Sequence, residues 1–243
     1  MIIGLLGSQF FSISHSISAG RSVVVGMLLS LGFVFGTATA AQTTATPTPV
    51  SESSQKSESS DNEQSVVVAT LFDKSITAKD ITPSDAVLAK MASQANSRDE
   101  QNAMATLASL TKLSELIIEG VLDDYFVQHN LAIDAALVAK FKTKFAGSAK
   151  DNVISNDVAE RQVMIFLAEK HMYNTYGGEV VFRQSNPQLP VGAYYKILKD
   201  YERAGKFTIL DKSFNEGFWA PFTPPYQYEL AEGSIDFTQP WWL

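Results

Sequence analysis

Val66-Val67-Val68-Ala69-Thr70-Leu71-Phe72-Asp73-Lys74-Ser75-Ile76-Thr77-Ala78-Lys79-Asp80-Ile81 is the stretch whose reading decides the fold. Its first seven residues are a β-branched, apolar run bounded by polar chain, the pattern of a strand. Asp73-Lys74 turns the chain, and Ser75-Ile76-Thr77 returns as a short second strand. Thr77 then stands where an N-cap is needed, its hydroxyl oxygen free to accept from the first turn of a short helix, Ala78 to Ile81. Thr82-Pro83-Ser84-Asp85 offers the same device again: Thr82 as cap, Pro83 in the first turn, an acid near the positive end of the helix dipole.

Helical periodicity takes over from there. Leu107, Leu110, Leu113, Ile117, Val121 and Tyr125 step by three or four, which predicts a helix from about Asp99 to His129 opened by a Ser97/Glu100 capping box. Ile118, Leu122 and Phe126 widen the stripe, so other elements must cover it. A further helix is expected over Asp134–Phe145, with Leu137, Phe141 and Phe145 on one face and a stop at Gly147. Another is expected over Asp157–Tyr176, burying Val163, Phe166, Leu167 and Tyr173 and ending at Gly177-Gly178. Beyond it, Val180-Val181-Phe182 reads as a strand and Pro187–Pro190 as a loop. Val191–Ala204 reads as an amphipathic helix closed by Gly205, and Lys212–Trp219 as a last helical turn. The expected class is mainly α with a short N-terminal β-hairpin.

The hairpin, its Ile76-Thr77 ending, the small helix after it and the step Leu131-Ala132-Ile133-Asp134 between two helices resemble the N-terminal domain of SurA-type periplasmic chaperones. The resemblance spans about residues 66–176 and rests on fold-determining apolar positions. It implies a mainly helical domain that shields unfolded envelope proteins, often alongside a peptidyl-prolyl isomerase module. That module, of parvulin type, has about a hundred residues and a His-containing centre. Here 67 residues follow Tyr176 and none is His, so the resemblance carries the fold and the binding class without the activity.

Upstream, Arg21 precedes the apolar run Val23–Phe35 and the small residues Ala38-Thr39-Ala40. A positive residue, a run of about 13 apolar residues and an A-x-A site form a secretory signal, with cleavage after Ala40. The alternative is an uncleaved anchor, since flanking small residues extend the run toward the roughly 20 that span a bilayer. Export places the domain in the periplasm; the anchor would hold it to the inner membrane facing the same compartment. Residues 41–65 are Ser/Thr/Pro-rich and nearly free of aliphatics, a disordered linker that cannot repay its ordering entropy by burial. The expected organisation is therefore residues 1–40 signal, 41–65 linker, 66–176 helical domain, and 177–243 an aromatic-rich extension packed on it.

Composition narrows the chemistry. With no Cys among 243 residues, thiol nucleophiles, thiolate metal sites and disulfides are excluded. Nineteen basic against 26 acidic side chains give a net charge of −7, the wrong sign for neutralising phosphates, so no nucleic-acid partner is expected. Removing residues 1–40 takes away Arg21 alone and makes the balance one unit more acidic. Membrane contact is expected only through the N-terminal segment, if it is not cleaved. Glu119, Asp123, Asp124 and His129 gather near one helix end, where a weak cation site competes with a solvated acidic face. His171 has no nucleophile beside it in the sequence and reads as a packed or edge histidine. No catalytic residue, cofactor or metal site is assigned.

Ten of the 26 aromatics, including all three Trp, fall in residues 207–243. Aromatic side chains give large contact area at small entropic cost, which suits partner binding as well as core packing. Phe207, Phe214, Phe218 and Trp219 read as core; Trp241 and Trp242 stay open between core and interface. The candidate contacts for polypeptide are Trp219, Tyr226, Tyr228, Trp241 and Trp242. The function expected is a non-catalytic, chaperone-like module for unfolded or extended polypeptide. A degenerate isomerase and a structural subunit of an envelope complex are the alternatives.

Overall fold

The computed structural model describes residues 66–146 and 153–243; the expected leader, the 41–65 linker and the Gly147 stop lie outside the described residues. The chain is mainly helical, with a short N-terminal hairpin and an aromatic-rich region after residue 206. Strands β1 (Val67–Leu71) and β2 (Lys74–Thr77) pair antiparallel, Ala69 opposite Ile76 and Leu71 opposite Lys74, with a bulge between Val67 and Ala69. Helix α1 (Ala78–Ile81) starts at Thr77, whose backbone N–H and hydroxyl both donate to Asp80 Oδ2, at 2.8 and 2.7 Å.

The next cap is two residues later than the sequence suggested. Thr82 precedes a proline, which disfavours helical backbone, and it closes α1 instead, its hydroxyl donating to the Ala78 carbonyl at 2.7 Å. Ser84 therefore caps α2 (Asp85–Gln94), and Pro83 lies outside the helix. Helix α3 (Arg98–Gln128) opens on Ser97, whose Oγ accepts from Glu100 N at 3.1 Å. The reciprocal half of the capping box is displaced: Glu100 accepts from Asn96 N at 2.7 Å, not from Ser97.

Helix α4 (Ala135–Phe145) is capped by Asp134 Oδ1, and α5 (Asn156–Tyr176) by Ser155 Oγ. On α4 the deeply buried positions are Val138 and Phe141, with Leu137 and Phe145 half-buried beside them. Gly177 (φ 59°) and Gly178 (φ 99°) end α5 in the left-handed region that favours glycine. Strand β3 (Val181–Arg183) follows, then β4 (Asn186–Leu189), where a loop was expected. Pro187 hid this strand. A proline is tolerated at a sheet edge, and β4 is an edge: β3 has β4 on one side and a bridge from Val181 to Glu229 on the other.

Helix α6 (Val191–Arg203) enters against the 178–179 backbone so closely that a Cβ on Gly192 would lie 2.6 Å from Glu179 N. Strand β5 (Phe207–Ile209) then returns to the first sheet, giving the order β2-β1-β5 with Leu71 opposite Phe207. Helix α7 (Lys212–Trp219) runs into a 3-10 turn at Ala220–Phe222. The segment after Tyr176 thus supplies an edge strand and two helices to the same body as residues 66–176.

Two apolar cores result, and α5 is their shared wall. Met164, Ile165, Ala168 and Met172 face the larger core, with Leu113, Ile117, Val121 and Tyr125 of α3, Ile197 and Leu198 of α6, Phe207 of β5, and Phe218 and Trp219 of α7. Ala159, Val163 and Phe166 face the smaller one, with Val138 and Phe141 of α4 and with Val180, Phe237 and Trp242. A helix buried on two sides has no single apolar stripe, which is why its sequence named only part of its buried set.

Candidate functional site

Gln162, Ile165, Phe166 and Glu169 recur at the three- and four-residue steps that share one helix face, so α5 presents them together. The turn between β3 and β4 brings Ser185 and Asn186 over this face, and Trp241 and Trp242 close it from the opposite side. The result is a cleft with room for about one water molecule. Trp242 forms its apolar wall, edge-on to Phe141 at 5.3 Å and to Phe166 at 5.6 Å between ring centroids. Its indole N–H is buried with no acceptor.

The floor of the cleft is a buried carboxylate. Glu169 is 3% exposed, and its Oε1 accepts from Asn186 Nδ2 and from the Tyr194 hydroxyl, both at 2.9 Å; Asn186 Nδ2 lies 3.0 Å from Oε2. No Lys, Arg or His among the described residues pairs with it. Loss of hydration disfavours the charged form more than these two donors favour it, and the carboxyl is pushed up to about 7. Burial also raises the Tyr194 hydroxyl well above its ordinary value; the adjacent Glu169 adds to this and Arg161 opposes it. Sequence reading missed this trio because its members come from α5, β4 and α6. The one available signal was a carboxylate three residues after Phe166, inside an apolar stripe.

The five aromatics singled out in the sequence do not form one site. Trp219 is 9% exposed in the larger core, edge-on to Phe218 at 5.1 Å and with Lys199 Nζ 3.6 Å above its ring. Tyr226 is half-buried and donates to the Phe222 carbonyl at 2.8 Å. Tyr228 is 72% exposed, its carbonyl accepting from Phe182 N beside β3. Only Trp241 and Trp242 meet, 5.6 Å apart and perpendicular. Trp242 is buried in the smaller core, while Trp241 is 37% exposed at the mouth of the cleft.

A second surface lies on α2 and the first turns of α3. Helix α2 buries no residue fully, and α3 buries none before Leu113, about four turns from its start. The two pack on each other through apolar side chains that stay half-buried: Val87, Leu88 and Met91 on α2, and Met104 and Leu107 on α3. Among the described residues none of these side chains reaches full burial.

Two basic side chains from other elements cross to the acidic ledge of α3. Arg161 of α5 pairs with Asp123 and, at 3.7 Å, with Glu119, while Lys206 meets Asp124 at 2.8 Å. These contacts tie α3 to α5 and to the lead into β5. His129 caps α3, with its ring 4.7 Å from that of His171. His171 Nδ1 lies 2.7 Å from the Tyr125 hydroxyl, and burial, then His129, lowers its affinity for a proton. Burial also pushes the Tyr125 hydroxyl up to about 12. Among the described residues no group of three or more acidic or His side chains is placed to hold a metal ion, and no helix is long and apolar enough to cross a membrane.

No protein-family model, curated protein or solved structure matches the chain.

Proposed function

We infer that the chain is a non-catalytic, chaperone-like module that binds unfolded or extended polypeptide in the periplasm. The observation that carries this reading is the half-buried apolar face shared by α2 and the first four turns of α3. Leu and Met there have long, adaptable side chains, and Met in particular repacks against varied partners. The resemblance of residues 66–176 to SurA-type domains and the signal-like leader point to the same class. Fully burying an exposed side chain of this size is worth about 1.5–3 kcal/mol, and covering several that are already half-buried about half of that each. With added backbone contacts this reaches micromolar affinity, about −8 kcal/mol.

The test is suppression of aggregation. The purified chain at stoichiometric ratio is expected to reduce light scattering of a chemically denatured protein diluted from denaturant. A Leu88→Glu, Met91→Glu variant, altered where nothing is fully buried, is expected to keep its helical circular dichroism and lose that protection. Equal protection by the variant, or none by the parent, overturns the reading.

A further inference from the structure

We propose that residues 236–243 are a releasable strap, which occupies in cis a groove between α4, α5 and the β3–β4 turn that a polypeptide segment of like chemistry fills in trans. The occupant seated there defines what the groove takes: a segment that bends at Thr238-Gln239 and turns at Trp241-Trp242, with two aromatic anchors five residues apart, Phe237 and Trp242, both buried. The groove does not depend on the strap for its walls. Val138 and Phe141 of α4 pack with Ala159, Val163 and Phe166 of α5, so removing the strap uncovers a formed, aromatic-lined trough.

The strap is held by anchors and little else. Among the described residues no helix or strand follows Ser234. Its polar ties to the body are Lys170 Nζ to the Thr238 carbonyl at 3.3 Å and the reciprocal pair between Gln188 and Asp236, at 2.6 and 3.1 Å. Thr238 N and Leu243 N turn inward to Asp236 and to the Pro240 carbonyl, satisfying the strap within itself. Two features of its seat work against closure. The Trp242 indole N–H, like that of Trp219 in the larger core, is buried with no acceptor among the described residues, a group that water would satisfy on release. Beneath the two tryptophans lies Glu169, a carboxyl with no cation beside it and with its proton held to about pH 7. Self-occupancy of this kind keeps an apolar groove closed until a competing segment arrives.

The proposal rests on the polypeptide-binding reading, but its test does not use a client. A fluorescent peptide of residues 229–243 is titrated against the intact chain and against a chain lacking residues 236–243. The shortened chain is expected to bind with micromolar Kd and the intact chain at least about tenfold more weakly, because the cis strap competes. A peptide with both Phe237→Ala and Trp242→Ala is expected not to bind. Equal binding to both chains, or none to a shortened chain of native helicity, overturns the strap.

If the shortened chain does not fold, hydrogen exchange of the intact chain decides. The Trp242 indole N–H is expected to exchange at least about 100-fold faster than the central amides of α5, through an opening that leaves α5 folded. Exchange at the same rate as α5 overturns the proposal. Strap behaviour as expected, with no unfolded protein bound by either chain, would remove the polypeptide-binding function and leave the strap.

Discussion

The two cores share α5 yet are closed by different means. The larger is sealed by regular structure: β5 pairs with β1, α7 lies over α3 and α6, and Phe207, Phe218 and Trp219 interlock at centroid distances of 5.1 to 6.4 Å. The smaller is sealed by a segment without regular structure after Ser234, through Phe237 and Trp242, over a buried carboxyl. Backbone pairing satisfies main-chain groups in step with burial; an irregular cover must find partners one at a time. The first core is therefore expected to open only with the whole body, and the cover of the second to open at lower cost than the first.

The largest expected effect probes that difference directly. Phe218→Ala, 1% exposed in the first core, is expected to cost about 3–5 kcal/mol in denaturant titration and to lower the midpoint of the whole chain. Trp242→Ala is expected to lose less global stability, because its cover opens before the rest unfolds. Equal losses, with unchanged cooperativity in both variants, would break the comparison.

An intermediate effect comes from Glu169. Its folded-state pKa, about 7, lies above the ordinary 4.5, so the folded chain holds a proton that the unfolded chain releases between these values. Stability is therefore greatest below about pH 4.5 and falls as pH rises to about 7, by about 3 kcal/mol in total. Glu169→Gln keeps an acceptor for Tyr194 and Asn186 but has no proton to lose. It is expected to flatten the profile between pH 5 and 8, read as the urea midpoint at each pH. A profile unchanged by the substitution would remove the carboxyl from the account of the second core.

The smallest effect sharpens the comparison. Trp242→Phe gives up some buried area but also removes the unpartnered indole N–H, two terms of opposite sign. The net change in stability is expected to stay within about 1 kcal/mol. A loss of several kcal/mol would mean that the N–H has a partner in solution and that the seat is better satisfied than described.

What the sequence made legible follows the range of the interactions. The hairpin, the Thr77 cap and the long α3 are set by neighbours within a few residues, and period and capping chemistry locate them. β5 is three residues long and exists because β1, some 140 positions earlier, offers its free edge to Phe207–Ile209. β4 was concealed by Pro187, whose tolerance depends on an edge position that only the assembled sheet defines. Glu169 looked like one more charge on a helix until α6 and β4 brought Tyr194 and Asn186 to it. The aromatic segment shows the same limit, since composition is identical for an aromatic that faces inward, like Trp219, and one that faces outward, like Tyr228. The α2–α3 face was missed for the converse reason: its side chains look like core, and only the fold shows that they stay half-buried among the described residues.

Polypeptide binding is tested most directly by fluorescence anisotropy of a labelled, permanently unfolded protein titrated with the purified chain. Saturable binding with a micromolar Kd is expected, weakened at least about tenfold by Leu88→Glu with Met91→Glu. Absence of saturable binding at concentrations up to about 1 mM, a free energy weaker than about −4 kcal/mol, would contradict the function inferred here.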